Sequence, residues 1–180
     1  CDKTIGIIMP CQSKQNYTTD MQDAKRVSEQ YGIESRTVDI TAAKEELLKA
    51  LDGNVNPDYK KAAAFANINP RLRMTTLYAV AQTENCLVAG TGNRSESTMG
   101  YFTKWGDGAY DLNPIGDLTV REVYEFLAYF DAPMTIRTKK PSAGLWAGQT
   151  DEQEMGLTYK EIDDYLLLGE ATPSVTHRIE

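Results

Sequence analysis

Apolar positions in the first part of the chain fall into two short runs separated by a stretch of helical period. Ile5 to Met9 is a continuous apolar run closed by Pro10, the pattern of a strand buried on both faces of a parallel sheet. Asp20 to Tyr31 sets Met21, Ala24, Val27 and Ser28 on one side of a helix, and Gly32 supplies the stop. Glu34 to Ile40 alternates in the manner of a strand, with Val38 and Ile40 apolar. Asp39-Ile40-Thr41 then leads into a second helix, where Thr41 and Glu45 flank the start and Leu47, Leu48 and Leu51 form the expected buried face. A βαβα order predicts a parallel sheet covered by helices.

Asp52 to Pro57 is a loop by composition, followed by a long helical region from Asp58 to Glu84. Pro70 fits the first turn of a helix running through Leu72, Thr75, Thr76, Ala79 and Val80, with Leu77 and Tyr78 broadening its apolar face. Cys86 to Ala89 reads as a return to strand. Thr119, with Glu122 three residues on, opens a helix by the capping-box pattern. Val123, Phe126, Leu127 and Phe130 mark its expected buried stripe, and Ala132-Pro133 ends it. Lys139 to Gln153 is expected to be a mobile loop, and Thr158 to Glu161 to begin a last helix carrying Ile162, Tyr165, Leu166 and Leu168. No internal repeat interrupts this order, and 180 residues suit a single domain, residues 1–180.

Composition adds exclusions. Hydrophobic content of 41% and charged content of 25% are those of an ordinary soluble globular protein. No stretch approaches the roughly 20 apolar residues of a membrane span. A net charge of −7 supplies no basic field for nucleic acid. Anionic small molecules then require cations gathered locally; Arg71, Arg73, Lys104, Lys139 and Lys140 are available, with Arg73 and Lys140 read as solvated surface charges. The three cysteines, Cys1, Cys11 and Cys86, lack metal-ligand spacing and suit free thiols in a reducing cytoplasm. The single histidine leaves no Ser-His or Cys-His pair for nucleophilic catalysis.

The segment richest in chemistry follows Cys86 to Ala89. Gly90-Thr91-Gly92-Asn93-Arg94-Ser95-Glu96 leads into Gly100-Tyr101-Phe102-Thr103-Lys104-Trp105-Gly106-Asp107-Gly108. Open α/β sheets place ligands where a strand ends in such a turn. Glycine lets the backbone approach a phosphate or ribose, and the Glu96 carboxylate is a hard oxygen suited to Mg²⁺. By spacing alone, a glycine-rich surface turn with solvated charges accounts for the segment equally well.

Several motifs in a fixed order resemble the NAD synthetases. They run from Ile5-Gly6-Ile7-Ile8-Met9-Pro10-Cys11 through Asn67-Ile68-Asn69-Pro70-Arg71-Leu72-Arg73-Met74 and the glycine-rich segment to Pro141-Ser142-Ala143-Gly144-Leu145-Trp146 and Gly148-Gln149-Thr150-Asp151-Glu152. The resemblance implies an α/β, doubly wound, mainly parallel sheet flanked by helices, of the adenine nucleotide α-hydrolase-like kind. It implies amidation of deamido-NAD to NAD with ammonia and ATP, through an acyl-adenylate, with AMP and pyrophosphate released. Such transfers need alignment and charge neutralisation more than a protein nucleophile.

Carried over residue by residue, the resemblance makes Glu96 a Mg²⁺ ligand and Thr91 and Ser142 ATP contacts. It makes Asn67, Arg71, Lys104, Asp107 and Asp111 deamido-NAD contacts. Each has a plain structural alternative: Glu96 as a carboxylate at a helix N-terminus, Thr91 as a cap, and Asp107 and Asp111 as turn aspartates. One departure is visible. The family's Gly-Asp-Leu-x-Lys stretch, with its ATP-contacting lysine, reads Gly116-Asp117-Leu118-Thr119-Val120 here.

The family's Ser-Gly-Gly-x-Asp-Ser pyrophosphate loop and its His-Lys tail have no match in these residues. The expectation is therefore the middle of a longer protein, with the sheet incomplete at its N-terminal strand and the 180 residues alone inactive in amidation. A glutamine-dependent synthetase portion and a non-catalytic remnant that binds deamido-NAD or NAD are the competing readings. A homodimer paired through the helices of Asp58 to Glu84, in the cytoplasm, is also expected.

Overall fold

The computed structural model describes residues 3–12, 15–56, 61–142 and 148–180. These fall into two compact units, one formed by the described residues up to Cys86 and one by those from Leu87 onward.

The first unit is built on two parallel strands, β1 (Ile5–Ile8) and β2 (Glu34–Thr37), with Ile5 opposite Glu34 and Ile8 opposite Thr37. Val38 and Ile40 N–H groups extend the pairing past β2, donating to the Ile8 and Pro10 carbonyls. A π-helical turn (Asn16–Asp20) and α1 (Met21–Gln30) make the crossover. The expected face of α1, through Met21, Ala24, Val27 and Ser28, is the half-buried one. Gly32, at φ +64°, turns the chain out of the helix and back into the sheet.

In α2 (Thr41–Leu51) the buried stripe differs from the expected one. It runs through Lys44, Leu48 and Leu51 at i, i+4 and i+7, with Lys44 only 8% exposed. Leu47 lies about 60° round from Lys44 and is exposed. After α3 (Lys61–Ala66) comes α4 (Ile68–Glu84), which packs against both α2 and α3. Pro70 sits in its first turn, where the missing N–H has no carbonyl to meet. Asn85 ends it in the left-handed conformation. Arg73 is not the solvated charge that its sequence context suggested. Its guanidinium is half-buried and donates to the Met9 carbonyl and to Asn16 Oδ1. Cys11 is a buried thiol, as expected, and burial pushes its pKa up.

The second unit contains α5 (Arg94–Met99), α6 (Val120–Tyr129), α7 (Met134–Arg137), α8 (Asp151–Met155), α9 (Tyr159–Leu168) and α10 (Pro173–Ile179). Its core gathers Val120, Met155, Leu157, Tyr159, Ile162 and Val175. The capping boxes read from Thr119/Glu122 and Thr158/Glu161 are both formed. Thr119 is fully buried, so its cap is shielded from water.

Four expectations are corrected here. Among the described residues the strand expected at Cys86 to Ala89 makes a single parallel bridge, Ala89 to Leu112. The Asp111 side chain takes the Val88 N–H at 2.8 Å, which a neighbouring strand would otherwise use. On α6, Phe126 and Phe130 are half exposed, lying about 120° and 80° round from the inward-facing Val120. Phe126 packs instead on Phe130 at a centroid separation of 6.0 Å, and Phe130 on Tyr129 at 5.1 Å. The stretch from Lys139 to Gln153 is not loop throughout, because α8 begins at Asp151. Within that stretch 143–147 lie outside the described residues, and with them part of the expected mobile loop. Finally, α9 is followed by α10, which Thr172 caps and Pro173 starts.

Candidate nucleotide site

The helix α5 begins at Asn93, whose Oδ1 accepts the Glu96 N–H at 3.0 Å while Glu96 Oε2 accepts the Asn93 N–H at 2.8 Å. The structural role open to Glu96 is thus realised, and Asn93, not Thr91, is the cap. Thr91 is exposed and its hydroxyl makes no hydrogen bond among the described residues. One oxygen of Glu96 is committed to the cap; Oε1 accepts no hydrogen bond among the described residues. Burial raises the Glu96 carboxyl above the ordinary carboxylate range, against the Asn93 N–H, and the negative charges of Asp151 and Asp107 raise it further.

The residue before Glu96 anchors the helix. Ser95 is fully buried and donates to Asp163 Oδ1 of α9 at 2.6 Å, while accepting the Val120 N–H of α6 at 3.1 Å. The second Asp163 oxygen accepts the Arg121 N–H at 2.8 Å. Three helices therefore meet through one hydroxyl and one carboxylate. Sequence reasoning missed both residues; the only signal was an aspartate on the otherwise apolar face of α9 beside Ile162.

Gly90 does different work from that expected, whereas Gly92 leaves the approach open. A Cβ at Gly90 would stand 2.5 Å from a ring carbon of Tyr110, so this glycine makes room for an aromatic ring and not for a ligand. At Gly92 the nearest atom to such a Cβ is Glu96 Oε2, 3.8 Å away, which leaves space beside the turn. Asn113 holds that turn by donating to the Gly92 carbonyl at 2.8 Å.

A second polar group surrounds α8. The buried Asp151 accepts from the Tyr159 hydroxyl at 3.0 Å. Tyr101 donates to Glu154, which also accepts from Gln149 Nε2 at 2.6 Å. Burial raises the Tyr101 and Tyr159 phenols, and neighbouring carboxylates add to the effect. Ser142 donates to the Gln149 carbonyl at 2.8 Å.

The remaining candidates are more exposed. Asp107 accepts the Thr103 N–H at 3.0 Å, the turn-aspartate arrangement, and Asp111 holds Val88. Lys104 lies 5.7 Å from the Trp105 ring centroid, within cation–π range. In the first unit, Asn67 occupies the N-cap position of α4 and Arg71 is exposed on its first turns. Val120 stands in the core and contributes no cation. Arg121, beside it, is paired with Asp164.

No three His, Cys, Asp or Glu side chains among the described residues converge as a metal cage. Mg²⁺ does not need one: it keeps several waters and is held through one or two carboxylates together with substrate phosphates. Glu96, desolvated and crowded by like charge, fits that pattern because a cation would relieve both costs.

The whole chain, residues 1–180, matches the sequence profile of the family described as NAD synthase. It is 52% identical over 171 residues to the NH3-dependent NAD+ synthetase of Carboxydothermus hydrogenoformans, covering 95% of this chain and 69% of that protein. With the enzyme of the same name from Syntrophomonas wolfei it shares 43% identity, covering 99% of this chain and 71% of the relative. The solved structure of an NMN synthetase from Francisella tularensis superposes with a TM-score of 0.90 at 43% identity, covering 98% of this chain and 71% of that one. A match to the family profile along its full length and this level of identity to its relatives settle the group: the chain belongs to the NAD synthase family.

Proposed function

We propose that this chain catalyses the ATP-dependent amidation of deamido-NAD to NAD, with ammonia as nitrogen donor. The observation that carries the reading is its 52% identity, across 95% of its length, to an NH3-dependent NAD+ synthetase. In the reaction, a carboxylate oxygen of deamido-NAD attacks the α-phosphorus of ATP and the bond to pyrophosphate breaks. Ammonia then adds to the acyl carbon, loses a proton, and AMP leaves with its oxygen.

The residues divide the work by chemistry. Thr91 and Ser142 offer hydroxyls to ATP. Arg71 offers a guanidinium fork and Lys104 an ammonium to the anionic groups of deamido-NAD. Asn67, Asp107 and Asp111 offer polar groups to its hydroxyls and amides. Glu96 holds Mg²⁺, which when bound supplies positive charge against the ATP phosphates. We further propose that the protein works as a homodimer in the cytoplasm. Apolar residues along α4, among them Leu72, Met74, Leu77 and Tyr78, keep part of their surface uncovered, which supports the pairing.

The test is NAD formation from deamido-NAD, MgATP and ammonium, with glutamine in a parallel reaction. Turnover with ammonium and not with glutamine is expected when the Ser-Gly-Gly-x-Asp-Ser loop is present, and deamido-NAD binding without amidation from these 180 residues alone. Binding without turnover in a loop-bearing chain would instead support a non-catalytic binder.

The 0.90 TM-score against an NMN synthetase favours a second reading, with the same chemistry on a smaller acceptor. There the carboxylate belongs to nicotinic acid mononucleotide and the product is NMN. Comparing kcat/KM for the mononucleotide and deamido-NAD separates the two, and a preference of tenfold or more decides.

A further inference from the structure

We propose that Asp163 is a positioning residue that acts through Ser95 to fix the rotation of α5, and with it the direction in which the Glu96 carboxylate faces. The inference rests on the reading of Glu96 as the Mg²⁺ ligand and extends it to a residue outside the nucleotide-contacting set.

The geometry allows little alternative placement. Ser95 and Glu96 are adjacent on a helix of six residues, too short to hold its orientation by its own hydrogen bonds. Its first turn is fixed twice, by the reciprocal Asn93–Glu96 cap and by Ser95 Oγ. Ser95 Oγ uses its donor on Asp163 and accepts from Val120 N–H. Asp163, 2% exposed, uses its second oxygen on Arg121 N–H. The Arg121 guanidinium pairs with Asp164, while Asp163 takes its hydrogen bonds from the Ser95 hydroxyl and the Arg121 N–H in the first turn of α6, with the guanidinium charge adding a longer-range attraction. Burying a carboxylate on neutral donors is costly compared with an apolar residue of that size. What the arrangement supplies is direction: neither a leucine nor an alanine at 163 would stop Ser95, and α5 with it, from turning.

The substitutions differ in what they leave behind. Asp163→Asn keeps the shape: its oxygen takes the Arg121 N–H, its amide faces Ser95 Oγ, and that oxygen has two lone pairs to accept both donors. Asp163→Ala and Ser95→Ala break the link from opposite sides. Val175→Ala removes packing from the same core, on which Met99 at the far end of α5 also rests, but leaves the Ser95–Asp163 bond in place, and serves as a control for lost packing.

The measurement is Mn²⁺ binding by the intact protein with a non-hydrolysable ATP analogue, followed by electron paramagnetic resonance, beside the half-saturating Mg²⁺ and the KM for deamido-NAD in the amidation assay. Ser95→Ala and Asp163→Ala are each expected to weaken Mn²⁺ binding tenfold or more. The double variant should be no worse than either alone, since both act through one bond. Asp163→Asn should stay within threefold of wild type, and Val175→Ala should bind as wild type although it melts lower. Glu96→Gln tests the underlying reading: if it binds Mn²⁺ normally, Glu96 is not the ligand and that reading falls. If Glu96→Gln loses the metal while Ser95→Ala and Asp163→Ala keep it, the positioning role is overturned. It is overturned equally if Val175→Ala loses metal affinity in step with them. If Asp163→Ala does not fold, Ser95→Ala and Asp163→Asn still decide the matter.

Discussion

Asn93 and Glu96 each satisfy the other's backbone N–H, at 3.0 and 2.8 Å, and so close the first turn of α5 with the carboxylate that the family resemblance assigns to metal. On the proposed reading, one side chain would serve helix and metal together. A cap of this kind contributes about 1 kcal/mol, so Asn93→Ala should lower unfolding free energy by about that amount. Urea unfolding measures it, and an unchanged midpoint would show that the cap carries no stability.

Glu96→Gln retains an oxygen for the Asn93 N–H while removing the charge. Stability should therefore change by less than about 1 kcal/mol, the scale of a single hydrogen bond. NAD formation by a chain that also carries the pyrophosphate loop should fall by about 10²–10³-fold or more, the scale of losing one electrostatic contact in a polar-transfer site. A variant that unfolds early yet turns over normally would reverse the assignment of roles.

Gly90 and Gly92 should respond oppositely to alanine. At Gly90 the added methyl meets the Tyr110 ring at 2.5 Å, an overpacking worth roughly 1–3 kcal/mol. At Gly92 the nearest atom is 3.8 Å away and the fold should be unaffected. Any loss of ATP binding in Gly92→Ala without loss of melting temperature would mark that turn as the approach to the phosphates. Thermal melts of the two variants, with Gly90→Ala/Tyr110→Ala as the relieving pair, check the contrast.

Glu84 accepts from Arg36 at 2.6 Å and from Lys3 at 2.5 Å, and these partners hold its carboxyl down at about 2, from an ordinary 4.5. A depressed folded-state pKa means that the stabilisation is fully present above about 4.5 and is lost as pH falls from there to about 2. Solvent screening makes the effect small at high salt. The difference in unfolding midpoint between the wild type and Glu84→Gln should shrink over that interval and be constant above it. A constant difference down to pH 2 would show that the pairs contribute nothing.

The proposed dimer would cover the surface that the apolar residues of α4 retain. Sedimentation at micromolar concentration should give twice the chain mass, and Leu77→Glu should shift it towards the monomer. A monomer in the wild type at that concentration would remove the proposed dimer.

The sequence by itself determined the elements whose cause is local. Helix starts at Thr119 and Thr158 follow from a hydroxyl and a carboxylate three residues apart, and the α1 stop follows from a glycine that can take positive φ. Continuous and alternating apolar runs were enough to place β1 and β2 and their parallel pairing. The family, too, was legible in the order of its motifs along the chain. Tertiary structure decided what depends on neighbours distant in sequence. Whether Leu87 to Ala89 becomes a strand depended on Asp111 taking the Val88 N–H, 23 residues away. Which side of α6 faces inward depended on the core around Ile162, and that left Phe126 and Phe130 outside. The Ser95–Asp163 link joins residues 68 apart, and neither carries a local signal for the other. Hydrophobic period reports that a helix has a buried face, but the rotation that selects the face comes from the residues packed against it.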